Sequence, residues 1–147
     1  MILRAATASD APACAAILSD WIAQTPWFPD LHSRAEDLDF VRRKLAHGEA
    51  TVAEQETVAG FTVLEGDYLA CLYVATAARG RGVGARLLRA AQAARPGGFR
   101  LWTFQANTHA RRFYAKAGLV ARRFTNGAEN EEGLPDVEFV WPGTPGA

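Results

Sequence analysis

The chain has 147 residues, enough to bury a real core, and its 49% hydrophobic and 22% charged content is that of a globular domain. Sixteen basic side chains balance sixteen acidic ones, which gives no ground for wholesale binding to nucleic acid or to an anionic membrane. No apolar run approaches membrane-span length and MILRAATASD lacks a signal-peptide core, so the expectation is a soluble, cytoplasmic, single domain over residues 1–147.

Ile2–Ala6 reads as a first strand. Asp10 can cap a helix that runs to about Trp21, with Pro12 early enough to be tolerated and Ile17, Leu18 and Trp21 as its apolar stripe. Thr25-Pro26-Trp27-Phe28-Pro29-Asp30-Leu31-His32 is a stiff, aromatic loop. Ser33 or Asp37 can cap a second helix to about His47, with Leu38, Val41 and Leu45 on one face and Gly48 ending it. Ala50–Glu54 and Val58–Leu64 read as strands joined by a tight turn at Gln55-Glu56-Thr57, and Glu65-Gly66-Asp67 turns into a strand at Tyr68–Val74. Cys14 and Cys71 make no disulfide framework and read as small buried residues.

After Val74 a short polar turn leads to Arg79-Gly80-Arg81-Gly82-Val83-Gly84, which opens a helix with Val83, Leu87, Leu88 and Ala91 on one face. Glycines let the backbone approach a ligand, and a helix start offers free N–H donors and a positive dipole end. Together they suit a phosphate or pyrophosphate. A Walker A loop needs Gly-Lys-Ser/Thr, and the chain has no Gly-Lys pair. Gly80, Gly82 and Ala85 fit the dinucleotide fingerprint G-x-G-x-x-A, but Gln105-Ala106-Asn107 follows the next strand where that fold wants an acid. An RGG-type element fits less well still, because both Arg-Gly pairs lie inside a strand–helix unit.

Pro96-Gly97-Gly98 stops the helix, and Phe99–Phe104 is the next strand. The helical connection makes it parallel to Tyr68–Val74. Thr108–Ala117 reads as a short helix capped by Asn107 or Thr108 and stopped at Gly118, and Leu119–Thr125 and Val137–Trp141 are the last strands. The order β-α-α-β-β-β-α-β-α-β-β predicts an α/β fold with a mixed sheet, an antiparallel meander that turns parallel in the middle.

Two motifs resemble the GNAT acetyltransferase superfamily. Arg79, Gly82 and Gly84 match its loop Arg/Gln-x-x-Gly-x-Gly/Ala. Asn107-Thr108-His109-Ala110-Arg111-Arg112-Phe113-Tyr114-Ala115-Lys116-Ala117-Gly118-Leu119 is similar to its N-x-x-A-x-x-F-Y-x-x-x-G-F segment, with Leu119 for Phe. The resemblance implies the same order of elements, with acyl-CoA in a V between splayed parallel strands. It implies that main-chain groups near Leu72, Tyr73 and Val74 pair with the pantetheine arm, as an added strand would. Amides of Gly80, Arg81, Gly82, Val83, Gly84 and Ala85 would hold the pyrophosphate, with Arg79 and Arg81 adding charge-assisted contacts. The family usually has proline two residues after the Val74 position, where this chain has Thr76.

The implied acyl donor is acetyl-CoA, and no metal is called for. Tyr114 is the implied general acid that protonates the departing thiolate, with its hydroxyl exposed at the thioester and Phe113 pointing into the core. Asn107 has two readings, a ligand to the pantetheine or a water and a plain helix cap. The base stays open. Many relatives carry an acid on the strand before the loop, and none lies between Tyr68 and Val74; Glu54, Glu65, Asp67 and His32 are the candidates, beside bulk water. Trp27, Phe28, His32 and Glu65 are the candidate acceptor-binding residues. Trp27 and Phe28 serve equally as core or as a homodimer contact. Glu129, Glu131, Glu132 and Asp136 form either an acidic rim that attracts a cationic amine or a solvated loop. The implied activity is N-acetylation of a primary amine on a small molecule, ahead of a protein N-terminus or lysine. The alternative is a non-catalytic acyl-CoA-binding sensor on the same fold.

Overall fold

The β-rich runs along 49–74, broken by turn residues, form three strands. In the computed structural model, which describes residues 1–146, these are β2 (Glu49–Glu54), β3 (Val58–Glu65) and β4 (Tyr68–Val74). With β1 (Ile2–Ala5) they pair antiparallel in the order β1-β2-β3-β4. Three helices accompany them, α1 (Ala11–Ala23), α2 (Arg34–His47) and α3 (Val83–Ala94). Val52, Phe61, Val63 and Cys71 pack against Cys14, Ile17 and Leu18 of α1 and Val41 of α2. Ala53 and Ala59 pack against Val83 and Leu87 of α3. Strand periodicity thus splits the residues between two apolar layers. Cys14 and Cys71 are buried and unpaired, and burial pushes both thiols up to about 12, so they behave as small apolar groups.

Residues 1–91 form one compact unit. The second, from Gln92 onward, contains β5 (Phe99–Phe104), α4 (Thr108–Lys116), β6 (Val120–Thr125) and β7 (Asp136–Trp141). Its strands lie in the order β5-β7-β6, all antiparallel. Phe99, Leu101, Val137, Phe139, Tyr114 and Leu119 are its buried apolar residues. The chain is therefore a mixed α/β protein with the element order read from the sequence. Among the described residues, no helix is long and apolar enough to cross a membrane.

Ser33 is the cap of α2. Its hydroxyl accepts from the Glu36 N–H at 3.1 Å, and the Glu36 carboxylate accepts from the Ser33 N–H at 3.0 Å. Asp10 does not cap α1 with its side chain. A 3₁₀ turn at Ala8–Asp10, absent from the sequence reading, precedes that helix. The Asp10 carboxylate accepts from the Thr7 N–H at 2.7 Å and from two Arg4 nitrogens at 2.9 Å each. Arg4 also donates to Glu54, at 3.3 and 3.2 Å. Arg4 lies six residues away on β1, and sequence spacing alone does not reveal that contact.

The Arg4 guanidinium, aided by the Thr7 N–H, pulls the Asp10 carboxyl down from an ordinary 3.8 to about 2. A depressed folded-state value means that Asp10 stabilises the fold fully above the unfolded value of 3.8, and that this is lost as pH falls toward 2. Asp10→Asn should destabilise the protein at pH 7 by about 1–3 kcal/mol. It should also flatten the loss of stability between those two pH values, as read by urea unfolding at stepped pH. An unchanged acid limb would remove Asp10 from the titration.

Candidate active site

β4 ends at Val74, and the Ala75 N–H donates to the Ala59 carbonyl at 2.8 Å, so the chain leaves the sheet still tied to β3. A 3₁₀ turn at Thr76–Ala78 follows, with Ala78 buried. The Thr76 hydroxyl donates to Oε1 of Gln24, at the end of α1, at 2.9 Å. This hydrogen bond fastens the turn to the end of α1.

Arg79, Gly80, Arg81 and Gly82 are exposed. Gly80 and Gly82 take φ of +77° and +78°, a region that side chains disfavour, and both have open space around them. The Gly82 carbonyl accepts from the Arg86 N–H at 3.0 Å, so Gly82 is the cap of the twelve-residue α3. Helix geometry leaves the N–H groups of Val83, Gly84 and Ala85 without intrahelical acceptors. Val83 and Leu87, one turn apart, anchor this end beneath the loop. A Cβ on Gly60 of β3 would meet Tyr73 O at 2.9 Å, Leu87 Cδ1 at 3.0 Å and Val83 Cγ1 at 3.2 Å. Only glycine lets α3 seat so close to the sheet. An exposed glycine turn on a firmly seated helix start fits a pyrophosphate.

The aromatic loop folds back onto the same unit. Trp21 makes edge contacts with Trp27 at 6.0 Å, Phe28 at 5.0 Å and Tyr73 at 5.8 Å between ring centroids. Trp27 and Phe28, candidates for the acceptor, are thereby brought to Tyr73, a candidate for the pantetheine strand. His32 Nδ1 lies 3.5 Å from Glu36. Glu65 accepts from Lys44 at 3.0 Å through each oxygen, and Glu54 is held by Arg4. Two of the four candidate bases are thus engaged by cations.

In the second unit the Asn107 side-chain oxygen accepts from the Ala110 N–H at 3.1 Å, which makes it the cap of α4. The helix is turned so that Tyr114, not Phe113, faces the sheet. Tyr114 is 8% exposed and its ring lies 5.9 Å from that of Phe139 on β7, while Phe113 is only partly buried. The inward Phe113 and outward Tyr114 read from the sequence are corrected for the rings: adjacent helical positions differ by about 100°, and here it is the Tyr114 ring that packs on β7. The loop after β6 is organised by Asn130, which donates to the Leu134 carbonyl at 2.7 Å and accepts from its N–H at 3.2 Å. Asp136 is taken up by Thr125 and Asn130. Glu129 and Glu131 stay exposed.

A sequence model of the acetyltransferase (GNAT) domain matches residues 46–119, half of the chain. The chain belongs to the GNAT acetyltransferase family. The GNAT match runs from the end of α2 through the glycine loop to the end of α4, so both motifs lie inside it. The protein is an acyltransferase of the N-acetyltransferase type. The solution structure of apo YjaB from Escherichia coli superposes with a TM-score of 0.79 at 24% identity, over 98% of this chain and 100% of that one. A GCN5-related N-acetyltransferase from Rhodopseudomonas palustris gives 0.79 at 25% identity, over 96% and 94%. A ribosomal-protein-alanine N-acetyltransferase from Brucella melitensis gives 0.71 at 22% identity, over 95% and 98%. No curated protein matches the chain.

The sequence reading missed Glu138. It lies in the apolar run Val137–Trp141, yet it is 2% exposed, and Arg122 donates to it at 2.9 and 2.7 Å. An acid inside an alternating strand was the available signal.

Proposed function

We propose that residues 1–147 act as one cytoplasmic domain that moves the acetyl group of acetyl-CoA to a primary amine of a small molecule. The observation that carries this reading is the exposed Gly80–Gly82 turn at the start of α3, with open space around both glycines. In the proposal, amides of residues 80–85 hold the pyrophosphate, assisted by the Arg79 and Arg81 charges. Leu72, Tyr73 and Val74 offer main-chain groups to the pantetheine arm. Asn107, its oxygen committed to the helix cap, retains its side-chain NH₂ as a donor. Trp27, Phe28, His32 and Glu65 line the acceptor.

The bound thioester supplies an acyl group open to attack by an amine. The protein's task is to orient that amine and to manage two protons. Glu54 and Glu65 are each occupied by a cation partner, Arg4 and Lys44, and the ammonium proton leaves to water. Tyr114 donates its phenolic proton to the departing thiolate and recovers one from solvent.

Thiol release from acetyl-CoA, followed against a panel of small amines, amino acids and peptides, tests the reading. Turnover should appear with at least one small primary amine. Turnover with peptides alone would move the acceptor class to protein N-termini or lysines. Silence across the panel, with acetyl-CoA still bound, would overturn the proposal.

A further inference from the structure

The aromatic loop between α1 and α2 is fastened at its base. The Ser19 hydroxyl donates to Oδ2 of Asp37 at 2.6 Å, and both residues are buried. Asp20 and Arg34 pair at 3.0 Å on the surface beside them. Residues 24–33 therefore leave and rejoin two helices that are held together. The first part of the loop continues the hydrogen bonding of α1. The N–H groups of Gln24, Thr25 and Phe28 donate to the carbonyls of Asp20, Ile22 and Thr25 at 3.0, 3.2 and 3.1 Å. The Thr25 hydroxyl donates to the Trp21 carbonyl at 2.5 Å.

Two contacts reach from this helix end to the segment that leads into the glycine loop. The Trp21 ring, which touches Trp27 and Phe28, also touches Tyr73 of β4. Three residues further on, the Thr76 hydroxyl donates to Oε1 of Gln24 at 2.9 Å. The Thr76 side of that bond is the anchored one. The Ala75 N–H is bonded to the Ala59 carbonyl of β3, and the Ala78 N–H donates to the Ala75 carbonyl at 2.9 Å. Ala78 is itself buried against Val83 and Leu87. Gln24 is exposed and is the first residue beyond α1. A hydrogen bond between an anchored partner and a loop residue sets where the loop residue stands.

We propose that Thr76 is a positioning residue for the acceptor. Through Gln24 it fixes the start of the aromatic loop, and with it Trp27 and Phe28, relative to the strand offered to the pantetheine arm. The proposal rests on the reading that these two rings line the acceptor. Thr76 touches no reacting atom in this account; it sets where the amine is held. A neutral hydrogen bond between surface groups contributes modestly, so the effect is graded and local.

Amide exchange by NMR and steady-state kinetics of the whole chain test this together. Thr76→Val removes the hydroxyl and keeps the branched shape at an exposed position. Exchange of the Gln24, Thr25 and Phe28 amides should quicken by about 3–10-fold, with β3 and β4 and the thermal unfolding unchanged. With the small amine of highest turnover in the thiol-release panel, the amine KM should rise by about 3–10-fold, while kcat and acetyl-CoA affinity stay within about twofold. Thr76→Ser should restore both readouts. Gln24→Met should match Thr76→Val, and the double variant should be no worse than either single one. Unchanged exchange in Thr76→Val would overturn the proposal. Faster exchange with an unchanged KM would reduce the bond to a structural tie, and a fall in acetyl-CoA affinity would place Thr76 with the cofactor; either also overturns it. So would effects that multiply in the double variant. Silence with every amine would instead remove the acceptor reading, and this proposal with it, whatever the exchange shows.

Discussion

Tyr114→Phe should lower turnover by about 10²–10⁴-fold and leave acetyl-CoA affinity nearly unchanged. The substitution removes one oxygen and keeps the ring that packs against Phe113 and Phe139. If the hydroxyl serves only to protonate a leaving thiolate, its loss is felt in the transition state and not on binding. Steady-state rates and calorimetric titration of the same preparation separate the two. Full turnover in the variant would remove Tyr114 from the chemistry, and a parallel loss of affinity would make it a binding residue. At 8% exposure the phenol is also part of the core, and removing a buried hydroxyl from its partner costs about 1–3 kcal/mol. The melting temperature belongs in the same experiment, so that partial unfolding is not read as lost catalysis.

Gly82→Asp should weaken acetyl-CoA binding by at least about tenfold, or roughly 1.4 kcal/mol. The aspartate brings a negative charge to the cap of α3, where the pyrophosphate is proposed to sit. The fold should tolerate it. Nothing lies within 4 Å of an added Cβ, and Asp and Asn adopt a positive φ more readily than other side chains, so the strain at +78° costs some stability without a clash. Gly82→Asn, which has the same shape without the charge, should lose much less. Both variants share that strain, so the effect of the charge is the difference in affinity between them. Equal affinity for wild type and Gly82→Asp would exclude this loop as the phosphate site.

Where local pattern decides structure, the sequence was a sufficient guide. Tyr68–Val74 and Phe99–Phe104 are strands with those bounds, because their β-rich composition ends abruptly in turn residues. Val83, Leu87, Leu88 and Ala91 are buried along one stripe of α3, as a period of 3.6 requires. Ser33 and Asn107 cap their helices through contacts three residues away. Contacts fixed by partners distant in the chain could not be read. Asp10 looks like a helix cap until Arg4 and Glu54 are placed beside it. Phe113 and Tyr114 are neighbours of similar size, and only the packing of α4 on β7 determines which ring is buried. The two motifs located the candidate site because each is local. Its base is not local, and the pairing of Glu54 with Arg4 and of Glu65 with Lys44 joins residues far apart in the chain.

Gly60 gives the glycine-loop end of α3 a fixed datum. With no room for even one methyl group under Val83 and Leu87, the height of α3 above the sheet is gauged by the β3 backbone and not by the loop that precedes it. Arg79 and Arg81 could therefore drift in charge or identity while the amide array keeps its address. A single carbon at Gly60 would act as a shim under the whole helix. It would displace every donor of the first turn together, although Gly60 itself lies on the strand, away from the loop.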